Sequence, residues 1–345
     1  MPDGLVEHYQ ELRRTLRSKR CFERQYLYYA VDGLTIILLA AAAVTLASLF
    51  PILAVQLISA GILAIAFARI GFLVHDLGHG QVFLSRERNL WAMLPVGMSA
   101  GVSKSWWNSV HNMHHAQTND IEEDPHLQIP FMVFSPEQYE ETKGLRRFII
   151  RFQMFYVVPF MCLEAFNVHI VSVVVLARER TRAASIELGG VVLGVVLSAV
   201  LCWIISDGQL ATFFAVFAVS KVATGLYLAS VFAPNHKAMP LAHQQPASWI
   251  ERQVVSSRNI RHGRIIDWWF AGLNYQIEHH LFPSMPRNRL RLAQAEVSAW
   301  CEQRGWVYTN SGFWEAYGDA LGHFGRVVSR KQARQLAQAR AGLTG

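Results

Sequence analysis

Gly33 to Ala68 reads GLTIILLAAAAVTLASLFPILAVQLISAGILAIAFA, 36 residues without a charge between Asp32 and Arg69. A bilayer core is roughly 30 Å thick and one helical span takes about 20 residues, so this run has the length of two spans joined by a tight turn. Ser48 to Pro51 is the expected turn. A cleaved signal peptide is the competing reading, but its apolar core ends after roughly 7 to 15 residues, whereas here the apolar sequence continues into a second span. A second pair follows. Leu188 to Ser206 is uncharged, Asp207-Gly208-Gln209 makes a turn, and Leu210 to Phe232 carries one charge, Lys221. Composition agrees, with 52% apolar residues and a mean hydropathy of +0.19. The expectation is an all-α membrane protein, a single domain over residues 1–345, with four transmembrane helices in two hairpins near 33–49, 52–74, 187–206 and 210–233.

Of the 32 Lys and Arg residues, 30 lie in 1–29, 86–182 or from 237 onward, and the turns within the hairpins hold none. The positive-inside rule then puts both termini and the regions 1–32, 75–186 and 234–345 in the cytoplasm, as a helical cap over the spans. The net charge of +7 suits a surface that meets anionic lipid or an acidic partner. No basic recognition motif accompanies it, so nucleic acid is not an expected partner. Phe148 to Leu176 is apolar but interrupted by Arg151, Pro159, Glu164 and His169, and reads as helices lying in the interface. Lys221, inside a span, is expected either to pack inward on a polar partner or to snorkel. Cys21, Cys162, Cys202 and Cys301 are too dispersed for a paired metal or iron-sulfur motif. The tail QARQLAQARAGLTG, residues 332–345, reads as a solvated helix.

The chemistry lies in the histidines. Seven of the 14 fall in three groups: His75 and His79; His111, His114 and His115; His279 and His280. Within the first two groups, and from Gln276 to His279 and His280, the spacing is i, i+3 or i+4, which on a helix brings the side chains to one face. Gln276 stands before the last group where the spacing of the second group would put a histidine. Helix length also places them: Ile52 to His79 as a helix is roughly 42 Å long, so the second span protrudes and carries His75 and His79 beyond the membrane. The fourth span ends in PNH, bringing His236 to the same depth. Imidazoles in this number, gathered from separate segments on one side, are the signature of a binuclear metal site.

The motifs HDLGH (75–79), HNMHH (111–115) and QIEHH (276–280) resemble, in order, the three histidine boxes of integral-membrane fatty acid desaturases. The resemblance runs from about Tyr29 to Met285, and WWNSVHNMHHAQTN and NYQIEHHLFP look most like front-end and related bacterial acyl desaturases. It implies a di-iron centre that uses O2 to remove two hydrogens from adjacent methylenes of a long acyl chain, leaving a cis double bond. The implied ligands are His75, His79, His111, His114, His115, His236, Gln276, His279 and His280. Asp76 and Glu278 are the favoured residues to orient them from behind, with Asn112, Asn119, Asp124 and Asn235 as further candidates. Trp106 and Trp107 read as interface anchors. Many front-end relatives carry a fused cytochrome b5 domain marked by HPGG, which this sequence does not contain. The expected partners are therefore a fatty acyl-CoA or acyl-lipid, membrane lipid, and a separate ferredoxin, rubredoxin or cytochrome b5 donor with its reductase. Two other readings keep the histidines: a di-iron lipid hydroxylase, and a membrane protein that binds metal or haem without catalysis.

Overall fold

The computed structural model describes residues 4–242 and 248–329; the tail 332–345 lies outside them. Among the described residues four helices are long and apolar enough to cross a membrane: Tyr26–Leu49, Leu53–Gly78, Arg182–Ile205 and Leu210–His236. These first to fourth spans form the two expected hairpins. The second hairpin turns through Asp207 and Gly208, at φ 53° and 70°, where a left-handed pair reverses the chain in the fewest residues. The helices extend past the ends of the uncharged runs because charge does not stop a helix. Asp32 and Arg69, which border the first run, are both buried and pair with each other across the hairpin. Opposite charges meeting at one depth compensate each other, so both helices continue through them.

The spans meet in an apolar cluster with Ala43 and Ala47 from the first, Ala60, Leu63 and Phe67 from the second, Cys202 and Ile205 from the third, and Val216 from the fourth. Small residues then let non-spanning segments approach the spans. A Cβ on Gly194 of the third span would stand 1.7 Å from Met98 O, at the end of helix Arg86–Ser99. One on Gly225 of the fourth span would stand 2.7 Å from Cys162 O. That carbonyl lies at the elbow between helices Gln153–Met161 and Glu164–Glu179, which are bent by 72°. The segment 148–176 is thus an elbow seated against the fourth span. The second and third boxes lie on the same side of the spans, which requires an even number of crossings between them. The third and fourth spans supply two, so the bent pair is not a further crossing. Lys221 packs inward, donating to Ser198 Oγ at 3.0 Å and approaching His169 Nε2 at 3.1 Å, which ties this elbow to the third and fourth spans.

Beyond the spans lies the cap. Its largest core joins Leu5, Leu12 and Leu16 of helix Leu5–Ser18 to Ile277 of the third box, to Leu281 just after it, and to Val297 and Trp300 of helix Leu290–Glu302. The described sheet is one parallel pairing, Asn259–Ile260 with Asn310–Ser311.

Candidate metal centre

Each histidine box is set by a local device. The first occupies the end of the second span, with His79 closing the helix through its N–H to His75 O. The second lies on helix Lys104–Ala116, whose start is capped by Ser103 accepting from Trp106 N. Glu187 of the third span holds that start from below, accepting from Ser103 Oγ, Ser105 N and Ser105 Oγ at 2.6 to 2.8 Å. The third is a six-residue helix, Gln276–Leu281. Asn259 Oδ1 accepts from Ile277 N at 2.9 Å and so satisfies one of the open N–H groups at its start.

The imidazoles converge in two groups. In one, His75, His79, His111 and His279 hold their ligand atoms within 4.8 Å of one another. His75 Nε2 lies 3.1 Å from His279 Nε2, and His111 Nε2 lies 2.8 Å from His79 Nε2. The second group is His114, His236 and His280. His115 stands between them, its Nε2 3.1 Å from His111 Nε2 and its ring stacked 4.2 Å from that of His280. Burial, reinforced by neighbouring imidazoles, holds His111, His115, His279 and His280 well below the ordinary histidine range, so they are neutral.

The outer nitrogens fix the tautomers. Nδ1 is 3.1 Å from Asp76 Oδ1 in His75, 2.8 Å from Asp124 Oδ2 in His114, 3.1 Å from Ser256 O in His236 and 2.8 Å from Gln253 Oε1 in His280. With the proton on Nδ1, each Nε2 presents a lone pair to the interior. His280 Nε2 is buried without a partner. Ring nitrogens of opposing imidazoles crowded to about 3 Å of one another, with further nitrogens on every side, are an arrangement that a cation held among them relieves. The residues present therefore fit a metal pair.

Other predicted members stand differently. Gln276 does not aim its oxygen inward: Asn235 Nδ2, anchored on Leu273 O at 3.1 Å, donates to Gln276 Oε1 at 3.0 Å, and the Gln276 amide nitrogen faces His236 Nε2 at 2.9 Å. Glu278 is not brought to an imidazole. Its carboxylate accepts from Asn259 Nδ2 and Tyr308 OH, so it secures the third-box helix to the cap. Asp124 supports His114, and its other oxygen accepts from His126 N. Asn119 lies one step back, donating to the carbonyls of His236, Pro240 and Ser256, while Asn112 is exposed. Trp107 is not an interface anchor: its ring stacks on His111 at 4.4 Å and edges against His75 and His79. The i, i+4 spacing from Trp107 to His111 is the signal that foretells it. His126, stacked on His114 at 4.4 Å, and Gln253 carry no such signal.

The sequence profile described as fatty acid desaturase matches residues 48–312, most of the chain and all three boxes. The chain belongs to the fatty acid desaturase family. It is similar to an acyl-lipid (9-3)-desaturase of Physcomitrium patens, 29% identical over 88% of this chain and 59% of that protein. It is also similar to Delta(8)-fatty-acid desaturase 2 of Arabidopsis thaliana, 29% identical over 76% and 61%, and to the Delta(6)-fatty-acid desaturase fat-3 of Caenorhabditis elegans, 27% identical over 96% and 77%. This desaturase-family chain spans about three fifths of the length of the first two relatives.

Proposed function

We propose that the chain catalyses O2-dependent desaturation of a long-chain fatty acyl group, carried on coenzyme A or a membrane lipid, at two irons held by the imidazoles. The observation that carries this reading is the convergence of all three boxes and His236, their imidazoles turned toward one another, at the ends of a hydrophobic bundle. When bound, a non-haem iron pair supplies the O2-derived oxidising power needed to break unactivated C–H bonds, which no side chain has. Asp76, Asp124, Gln253 and the Ser256 carbonyl hold the ring protons on Nδ1, so each inward nitrogen is an acceptor fixed in direction. Trp107 closes one wall of the first group and keeps water from its rings. We assign His75, His79, His111, His114, His115, His236, His279 and His280 as ligands, with Gln276 completing the site by hydrogen bonding. Expression in a host of simple lipid profile, with mass-spectrometric localisation of any new double bond, tests the reaction; a hydroxylated chain would favour the sibling chemistry, and no altered lipid a metal-binding role. Purified protein given O2 and NADH alone is expected to be inactive until a ferredoxin, rubredoxin or cytochrome b5 and its reductase are added. Normal turnover without them would refute the external donor.

We further propose that the site and both termini face the cytoplasm. Reporter fusions after Asp207 should then report the outer side, and those after His115 and Gly345 the inner. The charge distribution is the motive, and a cytosolic signal at 207 overturns the orientation.

A further inference from the structure

Arg287 lies beyond the third box, yet its side chain is fully buried. Its Nε donates to Tyr28 OH at 3.0 Å and lies 3.1 Å from Asp76 Oδ2 as an ion pair, that oxygen having no hydrogen-bond partner, and its Nη2 pairs with Asp32 Oδ2. The other oxygen of Asp32 is taken by Arg69. A continuous series of contacts thus runs from His75 through Asp76, Arg287 and Asp32 to Arg69, joining the first two spans to the segment after the third box. It contains two carboxylates and two guanidiniums.

The backbone of Arg287 is held as firmly as its side chain. Arg287 N donates to Gln81 Oε1 at 3.0 Å, Gln81 Nε2 donates to Pro283 O at 2.8 Å, and a Cβ on Gly272, at φ +85°, would stand 2.7 Å from Arg287 O. A buried ionic cluster of this kind is weak evidence for stability, since desolvation offsets most of the Coulombic gain. A buried guanidinium hydrogen-bonded to one carboxylate and ion-paired with another does limit where each can sit.

We propose that Arg287 is a positioning residue for the metal site, acting through Asp76 on His75. It rests on the metal reading above. By holding the Asp76 carboxylate from behind through this ion pair, Arg287 keeps the acceptor for His75 Nδ1–H in place and so the direction in which His75 Nε2 points toward His79, His111 and His279. The second group is oriented independently: His114, His236 and His280 rest on Asp124, Ser256 and Gln253, and no described contact joins these to Arg287. Loss of the clamp should therefore weaken one metal position and spare the other.

The test is the iron content of the full chain purified in detergent, with the rate at which a chelator removes each iron. Wild type is expected to hold two irons. Arg287→Gln and Asp76→Asn should each hold about one, and the double variant no less than either. Arg287→Lys, which keeps the charge and loses the fork, decides the matter if Arg287→Gln does not fold: one iron should leave about tenfold faster than in wild type and the other at the wild-type rate. Two irons leaving at wild-type rates, or both accelerated together, overturns the proposal. A wild-type protein that binds no iron removes the metal reading itself, and this inference with it.

Discussion

His114→Ala and His280→Ala should each lower turnover by at least about 100-fold and release iron, while the protein still inserts in membranes. Both rings are buried in the second group, where they supply two of the three converging imidazoles, so removing either leaves that group short of a nitrogen. The fold should survive. Asp124 keeps the N–H groups of Asn119 and His126 when the His114 ring is removed, and Gln253 keeps Thr118 Oγ1 when that of His280 goes. Insertion depends on the four spans, whose shared apolar cluster contains neither residue. Metal analysis, product formation and membrane fractionation on the same preparations check the three parts together. Full activity in purified His114→Ala would end the ligand assignment.

The spans and the boxes were legible in the sequence for different reasons. A bilayer demands long uncharged runs, so Gly33 to Ala68 announces a hairpin with no tertiary information. A helix demands i, i+3 and i+4 spacing for a shared face, so HNMHH announces a cluster. What lay outside local pattern was hidden. Asp32 and Arg69 read as borders of an apolar run because each was seen alone, whereas their meaning is the pairing across the hairpin. Glu278 sits between Gln276 and the paired histidines in sequence but turns toward Asn259 and Tyr308, because on a helix it stands about 200° from Gln276 and from His280. Gln253 and Arg287 come from segments with no motif and reach the site only through packing. The segment 148–176 was ambiguous because its interruptions fit interfacial helices as well as an elbow, and Gly225, which accommodates the elbow, lies more than fifty residues later.

Gln276→Leu should retain most of the iron yet lose most turnover, at least about tenfold, because the two roles of this position are separable. Metal retention rests on His279 and His280, whose rings face the two groups, and Leu fills nearly the same volume in the helix. The contact that disappears is polar and buried. Gln276 Oε1 accepts from Asn235 Nδ2 and its amide nitrogen faces His236 Nε2, so the side chain joins the last turn of the fourth span to the third box. Breaking such a buried pair costs about 1–3 kcal/mol, softened here because Asn235 Nδ2 keeps Leu273 O. Were His236 Nε2 to hold a metal, the Gln276 amide would remain beside it as a buried donor that orients the ring, a role Leu cannot fill. Gln276→His restores the pattern of the second box and should keep iron with part of the activity. Iron stoichiometry and kcat measured on both variants separate the roles: Gln276→Leu working at the wild-type rate would make Gln276 only a helix residue, and joint loss of iron and turnover would make it a ligand.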